Sequence, residues 1–473
     1  MGLLAAALFL ARAPLWISTA LIAGASLLVV MAVEPALGLI VMALAIPFGP
    51  LFPMPVSGVN VVDLLVVITI ATWLARGMAQ RDLVFRPPPL TWSTLAFVWI
   101  CGLSLTQAVS WREGLPEWLK WVEYAAVFLV ATQLLDSRRA WWVVGGLLTA
   151  GVLEAGLGVY QFLRQVGPQA FVLLDRFMRA YGTFAQPNPY AGYLGYLAPV
   201  ALSLALSGVV HWRRRRRPSD LWVGLACAAT TAALIVGIGV SWSRGSWLGL
   251  AAASLLVLGL HARRAAAPLL TGLALLALVL LVFGVSWLPG AITARLGDLG
   301  AYIAGPDPAR TEITDANFAV LERLAHWRAG LRMFTDHPWL GVGIGNYAVA
   351  YSFYALPHWY QALGHAHNIY VNFLAETGLL GALAFAVFLL SAAWQVGRIA
   401  GKMTRGDDGD PYRPALAIGV LGTLTYLTVH SVFDNLFVQH MQLQFALLLG
   451  GLLAPGATRG TANSMRYTWL NTQ

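Results

Sequence analysis

"PYAGYLGYLAPVALSLALSGVVHWRRRRR", residues 189–217, decides the fold class. Residues 189–210 carry no charged side chain, and Arg213 to Arg217 close the run. The hydrocarbon core of a bilayer takes about 20 mostly apolar residues per helical span. Inside it each backbone N–H and C=O needs a partner within the segment, so such a run is helical. A block of arginines at one end marks the cytoplasmic side.

The pattern recurs along the chain. Apolar segments fall near 14–33, 35–48, 60–75, 90–109, 117–135, 140–163, 189–210, 220–240, 246–261, 265–288, 368–397, 414–433 and 437–454. Of the 473 residues, 58% are hydrophobic and 11% charged, against about 25% charged in soluble domains. Mean hydropathy is +0.69. The expected fold is an all-α polytopic integral membrane protein with about 12–14 transmembrane helices. Ten spans are expected in residues 1–288, one large extramembrane loop in 289–367, further spans in 368–455 and a cytoplasmic tail in 456–473.

The formal charge of +9 is nearly all arginine, Lys120 and Lys402 being the lysines. Clustered in short loops, this excess reports orientation and not nucleic-acid binding. Arg76, Arg81 and Arg86 follow the third segment; Arg138 and Arg139 the fifth; Arg213 to Arg217 the seventh; Arg263 and Arg264 the ninth; Arg398, Lys402, Arg405 and Arg413 the eleventh. These loops are assigned to the cytoplasm, and 110–116, 164–188, 241–245, 289–367 and 434–436 to the outside. Thirteen spans would place the N-terminus outside; an extra short or re-entrant helix within 1–48 is the preferred reading. Cys101 and Cys227 lie in apolar spans, with neither a disulfide framework nor zinc spacing. Arg12 interrupts the first apolar run, so no cleavable signal peptide is expected.

The loop contains "EITDANFAVLERLAHWRAGLRMFTDHP", a predicted helix capped at Thr314 or Asp315 and ended by Pro338. Phe318, Leu321, Leu324, Trp327, Leu331 and Phe334 recur at helical spacing and predict one apolar face, resting on the bilayer surface or the bundle. "GVGIGNY" then predicts a glycine-rich turn.

Several polar groups sit where apolar segments meet the outer loops. In "SWSRGSWLGL", 241–250, Arg244 stands between two spans. Snorkelling to headgroup phosphates explains a boundary arginine flanked by Trp242 and Trp247. Yet the outer face disfavours positive charge, Gly245 permits close backbone approach, and a planar guanidinium matches phosphate or diphosphate. On the loop helix, Arg323 and Trp327 share one side. Arg328 and Arg332 lie on a more polar side, where a solvated face with Glu322 explains them.

"GHAHNIYVNFLAETGLLG", 364–381, places Asn368, Asn372 and Glu376 in a polar stripe at four-residue spacing. Helix–helix hydrogen bonding explains Asn372 and Glu376. His367, at the loop–helix junction, has the chemistry of a general base near neutral pH. His365 lies two residues earlier, and the spacing gives a metal site little support. Asn188 and Tyr190 open a span in "FAQPNPYAGYLG", after Arg176 and Arg179, though the prolines also fit a plain helix start. His430, Asp434 and Asn435 close another. Asp63, near Asn60, fits a helix N-cap. Glu154 needs a partner inside its span, and Glu123 has Lys120 at helical spacing. No Walker-type phosphate loop is present, so ATP is not the expected energy source, and no nucleophile–base pair is evident.

At these residues the chain resembles the O-antigen ligase family, which shares a sequence domain with O-antigen polymerases and related glycan transferases. "SRGSWLGL" is similar to its Ser/Thr-Arg-Gly junction, "RLAHW…DHPWLGVGIGNY" to its loop block, and "AHNIYVNFLAETGLLG" to its His-Asn…Glu-x-Gly block. The resemblance covers roughly residues 180–400 well and implies a class C glycosyltransferase-like membrane fold. It implies inverting, metal-independent transfer of a glycan from undecaprenyl diphosphate, without a cofactor, to lipid A core or another glycan acceptor. The site would face the periplasm from the bacterial inner membrane. Carried over, Arg244 and Arg323 hold the donor diphosphate, with Arg310, Arg328 or Arg332 as substitutes for Arg323. His367 is the base or positions the acceptor. Arg328, Arg332, Asn188, Tyr190, His365, Asn368 and Asn372 are the substrate-binding candidates, the two asparagines as orienting groups. Ligation to lipid A core is the leading expectation and polymerisation the alternative. A transporter of the inorganic-carbon type would concentrate its polar groups at mid-bilayer, and a structural scaffold would not need arginines on the outer face.

Overall fold

The computed structural model describes residues 14–54, 59–173, 176–262, 305–314, 317–401 and 410–454. Its helices are α1 (Leu15–Val33), α2 (Ala36–Ala45), α3 (Val61–Gln80), α4 (Thr91–Ser104), α5 (Trp111–Leu134), α6 (Ser137–Arg164), α7 (Pro187–Arg215), α8 (Pro218–Val240), α9 (Arg244–His261), α10 (Phe318–Asp336), α11 (Tyr347–Tyr354), α12 (Ile369–Ala400), α13 (Arg413–His430) and α14 (Met441–Leu453). A 3-10 turn, Ile46–Leu51, extends α2, and two short strands, Val172–Leu173 and Phe177–Met178, pair antiparallel. The chain is an all-α polytopic membrane protein. Twelve of the thirteen expected segments are helical; the tenth, 265–288, lies outside the described residues, as do Arg263, Arg264, Lys402, Arg405 and the 456–473 tail. Among the described helices, α3, α6, α7, α8 and α12 are each long and apolar enough to cross a membrane.

Local signals set the helix ends. Asn60 caps α3 and Asp63 returns a bond to the Asn60 N–H, a capping box. Asp136 caps α6. Asn368 caps α12, its Oδ1 accepting from Tyr370 and Val371 N–H at 3.0 and 3.1 Å. The centre of the bundle is α7, buried along nearly all of Pro187–Gly208 and packed on α8, α9 and α13. Helices approach through small residues: a Cβ on Gly208 would lie 2.5 Å from the Gly224 nitrogen. Bulky exposed side chains such as Trp92, Trp99, Trp222 and Trp394 suit lipid, not water.

Two opposite faces gather the loops as the arginine pattern predicts. On one, Arg139 reaches Glu34 at 2.7 Å, Gln133 bonds the Arg86 backbone, and Tyr412 donates to Asp220 at 2.7 Å. On the other, all five loops assigned to the outside are joined. Asn346 accepts from Ser110 N–H at 2.6 Å, Arg179 Nε donates to Ser241 O at 2.9 Å, and Asp434 bonds both Asn188 and His367. Glu34 sits on the arginine-rich face, whereas the Pro47 carbonyl accepts from Thr183 on the other. Ala36–Leu51 therefore traverses the bundle as a short helix plus a 3-10 turn and does not re-enter.

Two expectations change. The buried face of α10 is Leu321, Ala325, His326, Ala329, Gly330 and Met333, while Phe318 and Leu331 are exposed. Close packing selects small residues here, since a Cβ on Gly330 would meet Val371 at 2.7 Å. Lys120 pairs with Glu117, not Glu123, and also holds the Phe437 carbonyl at 2.8 Å.

Candidate functional site

The stretch 364–381 is organised by a break. Gly378 has φ 62°, so α12 is two helices meeting at a kink. The loop after α10 enters that break: Leu379 N–H bonds Pro338 O at 2.8 Å, and Val342 N–H bonds Ala375 O at 2.9 Å. Only glycine fits. A Cβ on Gly378 would lie 2.3 Å from the Trp339 carbonyl carbon, and one on Gly341 2.4 Å from Ala375 O. Glu376 Oε1 accepts from Tyr347 N–H at 2.9 Å, at the start of α11, where a carboxylate complements the helix N-terminus. Asn372 accepts from Ala366 N–H at 3.0 Å and fixes the turn carrying His365 and His367. The polar stripe thus builds the platform on which the histidines stand. Pro338 ends α10 as predicted; Asn317 occupies its N-cap position, and Asp315 lies outside the described residues.

The histidines face Asp434. His367 has φ 51°, a strained conformation for a side-chain-bearing residue, and its Nδ1 lies 3.3 Å from Asp434 Oδ1. His365 Nε2 is 3.7 Å from the same oxygen, and His365 Nδ1 accepts the His367 backbone N–H at 3.1 Å. Asp434 is 4% exposed. Burial alone would raise its pKa, but the His367 hydrogen bond and the nearby His365 and Arg323 outweigh it and hold the carboxyl well below the usual range. Burial pushes His365 down to about 4 against the pull of Asp434. His326 on α10 stands edge-on to His367, with ring centroids 6.1 Å apart, and burial pushes it down to about 4 as well.

The other carboxylate oxygen of Asp434 leads to the arginines. Asn188 donates to Asp434 Oδ2 at 2.6 Å and accepts from Arg179 at 3.1 Å. Arg179 and Asn188 line a cleft of about 100 Å³ with Arg244, Arg323, Ser243, Gly245 and His430. The first residues of α9 form part of its wall, so the positive end of that helix opens on the cleft. Arg244 is only 9% exposed. Gly245 lets α9 and α13 close around it, since a Cβ there would lie 2.6 Å from the His430 ring. Three guanidinium groups and a helix N-terminus in one small cleft have the chemistry to hold a multiply charged anion.

Among the described residues metal-type spacing occurs twice: His365, His367 and Asp434 bring ligand atoms within 4.8 Å of one another, as do Asp63, Glu123 and His440. In both, hydrogen bonds take up some of the ring nitrogens. His365 Nδ1 accepts from the His367 backbone, with Nε2 3.7 Å from Asp434, and the Asn60 amide reaches His440 Nδ1 at 3.3 Å, leaving Nε2–H for Asp63 at 2.8 Å.

Residues 229–386 match the family model described as O-antigen ligase. About a third of the chain is thus similar to O-antigen ligases. Within the O-antigen ligase match lie Arg244, Arg323 and His367; Arg179, Asn188 and Asp434 lie outside it. The chain is also similar to the exopolysaccharide production protein ExoQ of Rhizobium meliloti, 25% identical over 344 residues, 72% of this chain and 70% of that protein. The chain is thus a multi-pass membrane protein with a region similar to O-antigen ligases.

Of the sequence candidates, Arg244, Arg323 and Asn188 line the cleft, and His367 and His365 join it through Asp434. Asn368 and Asn372 hold the backbone beside them. Tyr190 is a correction: it is wholly buried, wedged against Gly158, Gly182 and Gly237 in the bundle, because the proline-started helix turns its ring inward. Arg328 pairs with Asp307, to which Arg310 also lies near at 3.8 Å, and Arg332 is exposed; neither Arg328 nor Arg332 lines the cleft. Glu154 finds its partner in Thr183, at 2.6 Å. Arg179, Asp434 and His430 were visible in sequence only as polar groups at helix ends.

Proposed function

We propose that this protein transfers a glycan from a polyprenyl diphosphate, undecaprenyl diphosphate in bacteria, to an acceptor hydroxyl at the periplasmic face of the inner membrane. The observation that carries the reading is the chain Arg179–Asn188–Asp434–His367, which ties the arginine cleft to a histidine. Arg179, Arg244 and Arg323 would hold the diphosphate and take up the negative charge that grows on it as its bond to the sugar breaks. His367 would remove the proton of the acceptor hydroxyl. With Nδ1–H directed at Asp434, its Nε2 presents the free lone pair, and the carboxylate stabilises the imidazolium that forms. Direct displacement of this kind inverts the anomeric centre and needs no enzyme nucleophile.

Lipid A core is the acceptor we propose first. Polymerisation of a lipid-linked glycan is the second reading, favoured by the similarity to a protein named for exopolysaccharide production. A transfer assay in nanodiscs separates them, with an undecaprenyl-diphosphate glycan, with and without lipid A core, and with EDTA. EDTA-resistant transfer to lipid A core, lost in His367→Ala and Arg244→Ala, is the expected result. Longer lipid-linked chains without added acceptor mean polymerase. No transfer from several donors would overturn the proposal.

A further inference from the structure

A second cavity lies far from the candidate site, on the arginine-rich face. It holds about 470 Å³ and is lined by Leu37, Ile40, Arg138 and Trp142, with Glu34 and Asp136 at its charged rim. That is room for about fifteen waters at ~30 Å³ each, yet two of its walls are apolar. The cause is local. Helices α2 and α6 touch at Gly146, where a Cβ would lie 3.4 Å from the Ala43 methyl carbon. One turn towards the arginines Trp142 replaces glycine, the helices spread, and the indole is left 58% exposed. Leu44, one turn beyond Ile40 on α2, is exposed as well.

The rim carries a defined charge. Glu34 is held by Arg139 at 2.7 Å and approached by Arg76 at 4.0 Å. Asp136 is held by Arg139 at 3.5 Å and caps α6 through the Arg139 N–H at 2.8 Å. Both carboxylates are therefore taken up. Three arginines against two carboxylates leave one positive charge, and Arg138, exposed at the mouth, has no carboxylate within ion-pair distance among the described residues. A groove with an apolar floor, an interfacial tryptophan and one surplus arginine, at the level of a bilayer headgroup, matches a lipid with one negative charge.

We propose that the α2–α6 groove is a binding site for an anionic glycerophospholipid, its phosphate at Arg138 and its first chain methylenes along Leu37, Ile40 and Trp142. The test is native mass spectrometry of the delipidated protein titrated with phosphatidylglycerol or with phosphatidylcholine of the same chains. The expected result is one tightly held phosphatidylglycerol, displaced last, that binds about fivefold more weakly to Arg138→Gln, a loss scaled to one arginine near an anionic surface. Trp142→Ala weakens it further, and Arg81→Gln, on the same face outside the groove, leaves it unchanged. Thermal unfolding of each variant identifies any that fail to fold. Equal retention of the two lipids, or equal losses in Arg138→Gln and Arg81→Gln, would overturn the site and indicate a diffuse basic face.

Discussion

Asp434→Asn tests the coupling between histidine and arginines with little change in shape. Asp434 Oδ2 accepts from Asn188 at 2.6 Å, and Oδ1 accepts from Asn435 N–H at 2.9 Å and faces His367 Nδ1 at 3.3 Å. Asparagine keeps one of these oxygens and turns the other into an NH₂ donor. If the amide keeps its oxygen towards His367, its NH₂ meets the NH₂ of Asn188, which must turn and release Arg179. If it keeps the oxygen towards Asn188, its NH₂ meets the Nδ1–H of His367 and the backbone N–H of Asn435. Either way one hydrogen bond to a charged group is lost, worth about 1.5–3 kcal/mol. At about 1.4 kcal/mol per tenfold that is about a 10- to 100-fold fall in kcat. The loss of a charge that stabilises the imidazolium extends it towards the full contribution of a general base, about 10²- to 10⁴-fold. The assay is single-turnover transfer from a lipid-diphosphate glycan in nanodiscs, with thermal unfolding to show that the variant is folded. A folded variant with kcat within about threefold of wild type would refute the coupling.

The cleft and the solvated arginines should separate cleanly. Arg179→Ala, Arg244→Ala and Arg323→Ala should each lower transfer at least about tenfold, one charged hydrogen bond or more, while Arg328→Ala and Arg332→Ala stay within about twofold; donor-titration kinetics decide, and equal losses contradict the cleft. Gly378→Ala should destabilise the protein by at least about 2 kcal/mol, from the left-handed backbone and the 2.3 Å approach to Trp339; an unchanged unfolding midpoint would contradict the break in α12. Acid should destabilise the loop region. An imidazole pushed down on folding binds its proton more readily when unfolded, so His365 and His326, both at about 4, oppose folding as pH falls from ~6.5 towards 4 and have no such effect above that window. Midpoints at pH 7 and pH 5 should differ less in His326→Phe than in wild type, and an equal difference would count against the buried imidazole.

Much of the fold was legible because a bilayer imposes simple rules on sequence. Apolar run length gave the helices, and arginine placement gave two faces that the contacts bear out, from Glu34 with Arg139 on one side to Asn188 with Asp434 on the other. Burial was less legible. Helical spacing marks an apolar face, but close packing decides which residues fill it. Along α10 the large residues Phe318 and Leu331 are exposed, while Ala325, Ala329 and Gly330 share the buried face with Leu321 and Met333. The site was half legible. Arg244, Arg323 and His367 stand out as polar groups where polar groups are costly. Asp434 does not, because its significance lies in a contact with a residue 67 positions away, and Arg179 acquires its place only through Asn188. The break at Gly378 was hidden for another reason: glycine inside a helical pattern is tolerated, and only the inserted loop shows why it is needed.

The most direct test is a cryo-EM structure of the protein in nanodiscs with an undecaprenyl-diphosphate glycan and no acceptor. The account predicts density for the diphosphate between Arg179, Arg244 and Arg323, at the N-terminus of α9, with the first sugar directed towards His367. Density for the diphosphate anywhere else, with the arginine cleft unfilled at saturating donor, would contradict it.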